Sequence, residues 1–156
     1  MQKVTLPNGK MKDLFLTFND LKPQEIVTLK EEDGVKTVIR MEKIVDTIDK
    51  SLESFNKLIR EAQEKQSKII EKHKDKIAKA EEDDKPKAYE VQNKEIDKMI
   101  KELKVEEEAK KEITVELSDS HHEFAKLAFD KLAMKKFNDI KVCVEIAKAL
   151  GIDDGE

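Results

Sequence analysis

Apolar residues return every three or four positions through the middle of the chain, from about Val38 to Ala80. This spacing is typical of an amphipathic helix with one apolar side. The stretch contains neither glycine nor proline, so it predicts one long helix. The apolar stripe of this helix consists of Met41, Ile44, Val45, Ile48, Leu52, Phe55, Leu58, Ile59, Ala62, Ile69, Ile70 and Ile77.

A second helix is predicted after the charged segment EEDDKPKAY, because Pro86 disfavours helical geometry at the residue before it but is accepted in a first turn. This return helix runs from about Pro86 to Glu108 and pairs with the long helix as an antiparallel, coiled-coil-like hairpin over residues 38–110. Its apolar side consists of Tyr89, Ile96, Met99, Ile100 and Leu103.

A small two-stranded β element is predicted from two distant segments. In EITVEL, Glu112–Leu117, apolar and polar residues alternate as in a half-buried strand. The expected partner strand is KVTLPNG, with Val4 and Leu6 on one face and an Asn-Gly turn after it.

The segment between the first strand and the long helix gives two weaker signals. KDLFLTFNDL predicts a short helix, with Leu14, Phe15, Phe18 and Leu21 at helical spacing. QEIVTLKEEDGVKTVIR fits either a β-hairpin turning at Asp33-Gly34 or a helix end followed by a new helix start, and the pattern does not choose between them.

The stretch SDSHHEFAKLAFDKLAMKKF predicts the start of a C-terminal helix. Ser120 and Glu123 fit a capping box, which places the neighbouring histidines in the first turn as solvated side chains. Adjacent helical residues point about 100° apart, so His121 and His122 are not expected to bind one metal. A metal or catalytic centre at this pair is the least favoured hypothesis.

The rest of the C-terminal region predicts two helices. The first has an apolar side of Phe124, Leu127, Ala128 and Leu132, with Phe137 as a further candidate member. The second starts at Asn138 or Asp139, continues through Ile140, Val144, Ala147 and Leu150, and stops at Gly151.

The predicted fold class is therefore mainly α. A long helical hairpin has C-terminal helices packed on its base, beside a small two-stranded β element. We expect one domain over residues 1–156. It consists of an N-terminal strand and short element (1–37), the hairpin (38–110), and a strand with the C-terminal helices (111–156).

The two hairpin helices differ in length. At 1.5 Å per residue the long helix measures about 64 Å and the return helix about 34 Å, so the return helix leaves Ile44, Ile48, Leu52 and Phe55 uncovered. We expect the C-terminal helices to cover these residues, with a second subunit as the alternative.

Charge and composition narrow the function classes. Charged residues make up 42% of the chain, no apolar run is long enough for a membrane span, and Cys143 is the single cysteine. These features predict a soluble cytoplasmic protein without a membrane partner.

Residues 57–80 hold eight basic against four acidic residues within a chain of net charge −4. Because acids interrupt this segment and no aromatic residue lies in it, we favour a solvated face over a nucleic-acid surface.

Motifs that carry chemistry are absent from the sequence. It has no glycine-rich phosphate loop, no CxxC pair and no GxSxG elbow. Cys143 lies between valines on an apolar helix and is expected to be a small core residue. We therefore predict a non-enzyme, with no catalytic, cofactor-binding or metal residue, no cofactor and no evident small-molecule substrate.

The stretch VKTVIRMEKIVDTIDKSLESFNKLIREAQEK, followed by a charged turn, a return helix and EITVEL, resembles in layout small helical-hairpin accessory proteins of phages of Gram-positive bacteria. The resemblance covers about residues 14–117, and the C-terminal tail departs from it. It implies a viral accessory, inhibitor or minor structural protein in the host cytoplasm or the virion.

From the residues we expect a non-enzymatic interaction module that binds a protein partner or itself. The alternative is a nucleic-acid accessory factor that uses the basic face of residues 57–80.

Overall fold

The computed structural model describes residues 1–155, which are mostly helical with one two-stranded sheet. The mainly α fold class, with a helical hairpin and a small β element, is confirmed. The residues group into two compact units: Met1–Glu53 together with the chain from Lys110 onwards, and Ser54–Ala109. That these units form a single domain stays a prediction.

The two strands are the predicted ones. Strand β1 (Gln2–Pro7) pairs antiparallel with the later strand, Glu112–Leu117, and Val4 lies opposite Val115. Val4, Leu6, Val115 and Leu117 are buried, whereas the hydroxyl groups of Thr5 and Thr114 lie 2.8 Å apart on the outer face. Alternation along both strands therefore separates a core face from a solvent face.

The Asn-Gly turn predicted after β1 is wrong. Asn8 and Gly9 begin helix α1 (Asn8–Asn19), and the Asn8 amide donates to the carbonyl of Lys111. Because the partner strand comes from the distant end of the chain, no tight hairpin is needed here. Helix α1 buries Met11, Leu14 and Phe18, and Leu21 is buried just after it.

The segment left open in the sequence is a helix end followed by a new helix. Helix α2 (Pro23–Ile26) leads into two short 3-10 turns, and Gly34 precedes helix α3 (Val35–Ser51). Gly34 has a φ of 53°, which favours glycine. The hydroxyl of the buried Thr37 donates to the Gly34 carbonyl at 2.6 Å and closes the first turn of α3.

The single long helix predicted from Val38 to Ala80 is interrupted at Leu52. Helix α3 ends at Ser51, and helix α4 runs over Glu53–Lys79. The Ser51 hydroxyl donates to the Ile48 carbonyl at 2.6 Å, and side-chain bonds of this kind compete with helical hydrogen bonding. Leu52, at the interruption, is fully buried.

The return helix is also divided. Helix α5 (Lys85–Leu103) has Pro86 in its first turn, as predicted, but it ends where Lys104 adopts a left-handed conformation with φ 59°. Helix α6 (Val105–Lys110) follows and leads to strand β2 (Glu112–Leu117). The expectation of one helix to Glu108 is therefore wrong.

After β2, helix α7 (Asp119–Ala128) continues into a π-helical turn (Phe129–Ala133) and a 3-10 turn (Met134–Lys136). The last helix, α8 (Ile140–Ala149), begins as predicted, because the Asp139 carboxylate accepts from the amides of Lys141 and Val142. It ends at Ala149, and Gly151 follows two residues later with a φ of 85°.

The apolar side of α8 differs from the predicted one. Ile140 and Val144 are 81% and 42% exposed, whereas Ile146 and Leu150 are buried. Helix α8 contacts α1 and β1, and its buried residues Ile146 and Leu150 share one side of the helix. Ile140, at the first position of α8, lies outside that contact.

The core of the first unit surrounds α3. Ile44, Ile48 and Leu52 are at most 2% exposed, and α1, α2, β2 and α7 all contact α3. The guanidinium group of Arg40 also lies 5.2 Å from the ring centroid of Phe124 on α7. The prediction that a C-terminal helix covers the apolar side of α3 is thus confirmed for α7. Helix α1 and strand β2 also contact α3.

Within residues 1–155 no helix combines the length and the apolar character that crossing a bilayer requires.

Candidate interaction surface

The second unit is a two-helix hairpin in which α4 and α5 run antiparallel. The Lys72 ammonium lies 2.9 Å from the carboxylate of Glu95, and nearer the turn Ile77 and Ala78 line the same groove as Tyr89. In the hairpin the buried apolar residues are Phe55, Ile77 and Met99, and two polar residues, His73 and Gln92, are buried with them.

Most apolar positions of the hairpin are incompletely covered. Two helices bury only the stripe where they touch, so the residues beside that stripe stay accessible. Ile70 is 43% exposed and Tyr89 is 49% exposed, which corrects the expectation that Tyr89 packs against the long helix. The half-buried apolar residues of the hairpin unit are Leu58, Ile59, Ala62, Ile69, Ala80, Ala88, Ile96, Ile100, Leu103, Val105 and Ala109.

A polar cluster connects the two helices near the middle of the hairpin. The Nε2 atom of the buried His73 lies 2.5 Å from Oε2 of Glu95, and Lys72 bonds the other carboxylate oxygen. The hydrogen bond with His73, and then that with Lys72, holds the pKa of Glu95 below its usual range. Because a buried imidazole needs a hydrogen-bond partner, the cluster favours one register of α4 on α5.

This ion pair and the groove mark opposite sides of the hairpin. Lys72 and Glu95 lie on one side of the contact stripe, and Ile70 and Tyr89 lie on the other, as the 3.6-residue helical repeat requires. On the side of the ion pair, α4 carries a row of basic residues and α5 carries residues of both signs. The α4 row consists of Lys65, Lys68, Lys72, Lys76 and Lys79.

The groove side is different in character, and we name it the uncharged face. Its members follow each other at intervals of three or four residues on each helix, and none of them is an acidic or basic residue. They are Ile59, Gln63, Ser67 and Ile70 on α4, and Tyr89, Asn93, Ile96 and Ile100 on α5. Lys74 and Lys85 line the groove at the end near the turn.

The uncharged face stands out because 13 of the 27 residues of α4 are charged, so four successive uncharged positions on one side are unusual. The apolar stripe predicted from the sequence contains Ile59 and Ile70 but not Gln63 and Ser67, because it was traced through apolar residues only. The signal that could have found it is the spacing of Gln63, Ser67 and Asn93 among charged neighbours.

The capping box predicted at Ser120 and Glu123 is wrong. The N-cap is Ser118, whose Oγ accepts from the amide of His121 at 3.2 Å, and α7 begins at Asp119. The two histidines therefore do lie in the first turn. Across the described part of the chain, no three histidine, cysteine, aspartate or glutamate side chains are grouped as metal ligands would be.

The histidines are not solvated as expected. The His122 side chain is only 12% exposed, and its Cε1 lies 3.9 Å from where a Cβ atom on Gly151 would stand. His121 is also only partly exposed. His122 therefore packs against the turn that ends α8, which is a structural position.

The other sequence candidates occupy ordinary positions. Cys143 is half-buried on α8 and not a fully buried core residue. In the basic segment, Lys65 pairs with Glu61 at 3.4 Å and Lys72 pairs with Glu95, so acids already neutralise part of its charge.

We find no match to this chain among protein-family models, curated proteins or solved structures.

Proposed function

We propose that this protein is a non-enzymatic protein-interaction module whose binding element is the helical hairpin of residues 54–109. The observation that carries the proposal is the uncharged face, which continues for several turns on both helices of a chain that is 42% charged. The resemblance in layout to phage accessory proteins, which rests on the sequence pattern alone, favours a role in a host cytoplasm or a virion.

The chemistry of the uncharged face suits a protein partner. The centres of protein interfaces are depleted in charged residues and enriched in tyrosine, because burying an unpaired charge costs more than burying an amide or a phenol. Tyr89 is a large side chain with a polar end, and it lies beside the exposed Ile70 in the groove. Such an aromatic residue in a groove is a typical anchor for binding energy.

Site-specific photo-crosslinking tests this proposal. A benzoylphenylalanine residue at Tyr89 should give a discrete crosslinked product in the native host. The same residue at Lys98, an exposed position of α5 on the side of the ion pair, should give none. Equal crosslinking from both positions, or none from Tyr89, would remove the basis for assigning binding to this face.

The second candidate is the nucleic-acid accessory factor. The observation in its favour is the alignment of Lys65, Lys68, Lys72, Lys76 and Lys79 on one side of α4. Binding through this row would weaken steeply with salt, because each neutralised phosphate releases counterions. A fluorescence anisotropy titration with duplex and single-stranded DNA, for the wild type and for a variant with Lys65, Lys68, Lys72 and Lys76 changed to Glu, distinguishes this candidate.

A further inference from the structure

We infer that the groove near the turn of the hairpin binds an apolar side chain of the protein partner together with a carboxylate next to it, and that Lys74 and Gln92 hold this carboxylate. The inference rests on the proposed function, because the groove shares Ile70 and Tyr89 with the uncharged face. It goes further by naming the chemistry of the segment that the partner inserts.

The walls of the groove favour an apolar occupant. The groove lies between α4 and α5 and has a volume of about 350 Å³, which is within the range of small ligand sites. Ile70, Ile77 and Ala78 line it from α4, and Tyr89 lines it from α5. Because Ile70 and Tyr89 are largely exposed, an apolar side chain placed here removes apolar surface from water on both partners.

Gln92 gives the groove a polar group that lacks a partner. The residue lines the groove and is only 9% exposed, yet within residues 1–155 its side-chain amide forms no hydrogen bond with another residue. In the same part of the chain no side-chain nitrogen or oxygen is both sealed from solvent and unpaired, so the amide of Gln92 stays accessible. A buried amide is costly when unpaired, and an occupant that hydrogen-bonds it is therefore favoured.

Lys74 lies across the groove from this amide. Lys72 bonds Glu95 between the helices, so in the antiparallel register Lys74 is level with about residue 93, next to Gln92. Lys74 lines the groove, and its ammonium group has no ion-pair partner in the described part of the chain. The ammonium of Lys74 and the amide nitrogen of Gln92 both donate hydrogen bonds. A carboxylate between them accepts from both, and hydrogen bonds of this charged kind are the stronger ones.

The neighbouring charges leave Lys74 as the cation available to an occupant. The other lysine of the groove, Lys85, is already paired with Glu82 at 3.1 Å. Glu71 is one turn before Lys74 but lies farther round α4, and the described residues that line the groove include neither Glu71 nor the acids of the turn at residues 81–84. Charge therefore favours an anionic group beside Lys74.

Tyrosine fluorescence of the purified full chain tests the inference. Tyr89 is the single tyrosine and the chain has no tryptophan, so the signal reports on the groove itself. The probes are a leucyl-glutamate dipeptide, acetylated and amidated at its ends, and the matched leucyl-glutamine dipeptide. We expect the acidic dipeptide to bind with a dissociation constant of about 1 to 10 mM. The neutral dipeptide should bind about tenfold or more weakly, because its amide cannot pair with an ammonium group as a carboxylate does.

Three variants assign the contacts. Lys74→Gln keeps most of the side-chain length but removes the charge, and it should weaken binding of the acidic dipeptide about tenfold. Gln92→Leu keeps the volume but removes the amide, and it should weaken the same binding about fivefold or more. Its Tm should be unchanged or higher, since the free chain loses no hydrogen bond. The control Lys76→Gln, on the ion-pair side of α4, should leave the dissociation constant within about twofold.

The possible results separate this inference from the proposed function. Equal affinity for the two dipeptides, no saturable signal from either, or equal weakening by Lys74→Gln and Lys76→Gln overturns the carboxylate site. A lower Tm for Gln92→Leu also overturns it, because the amide would then be holding the hairpin together. A discrete crosslink from position 89 in the host would leave the proposed function standing in each of these cases. Without that crosslink the proposed function fails even if the acidic dipeptide binds.

Discussion

Two isoleucines on the same helix allow a direct test of where the core lies. Ile44 and Ile39 both belong to α3, but Ile44 is 0% exposed and Ile39 is 47% exposed. Replacing either with alanine removes the same three carbon atoms and changes the intrinsic helix propensity by the same amount. The difference between the two variants therefore reports burial alone.

The expected loss follows from the buried carbons. Each buried methyl or methylene group contributes about 0.8 kcal/mol, so Ile44→Ala loses about 2.4 kcal/mol in transfer free energy, and the cavity raises the loss to about 3 kcal/mol. Ile39→Ala should lose about 1.2 kcal/mol, because about half of that side chain is already in water. For a chain of this size, Ile44→Ala should lower the Tm by roughly 6 to 12 °C.

Urea unfolding followed by circular dichroism measures both losses, with thermal unfolding as a second readout. The m value should be unchanged in both variants, because the surface exposed on unfolding is nearly the same. Equal losses for the two variants, or a larger loss for Ile39→Ala, would contradict the packing of α1, β2 and α7 around α3.

Three further predictions follow from the caps and the hairpin cluster. Ser118→Ala should lower the free energy of unfolding by about 1 kcal/mol, whereas Ser120→Ala should change it by less than half of that, since Ser118 is the residue that caps α7. Gly151→Ala should cost about 1 kcal/mol in the same assay because the residue has a φ of 85°, although there is room for the added Cβ. The pKa of Glu95 in the folded chain lies below its ordinary value of 4.5, so ionised Glu95 stabilises the fold above that pH and its contribution is lost as the pH falls through the folded pKa. Glu95→Gln should therefore lower the Tm at pH 7, and the difference from wild type should shrink steadily below pH 4.5; a difference that grows in acid would contradict this linkage.

Periodicity predicted the secondary structure well where one face of an element meets the core. The alternation in Glu112–Leu117 predicted a strand with the same bounds as in the structure. Its partner strand was predicted because Val4 and Leu6 alternate with polar residues in the same way. It failed at Leu52 and Lys104, where helices end without a glycine or proline to mark the place. At these two places a serine bonds a neighbouring carbonyl and a lysine adopts a left-handed conformation, and neither feature has a distinct sequence pattern.

The candidate surface was harder to predict from sequence than the fold. His121 and His122 attracted attention because their residue types are rare in this chain, yet they occupy a helix start. The uncharged face consists of common residues whose importance appears only when α4 and α5 are placed side by side. Which side of each helix is free depends on the His73 to Glu95 contact, and that contact joins residues 22 positions apart.

The pairing of β1 with β2 has a consequence for biosynthesis. The hairpin of residues 54–109 lies between the two strands in the sequence, so β1 leaves the ribosome well before the strand that completes its sheet. At about 5 to 20 residues per second, the interval of some 110 residues lasts on the order of ten seconds. During that time the hairpin can form from local contacts, whereas Val4 and Leu6 remain unpaired and accessible to solvent until β2 is synthesised. The emerging N-terminal segment is therefore the part of the nascent chain that most needs protection from aggregation, and a chaperone that binds short apolar strands would act there first.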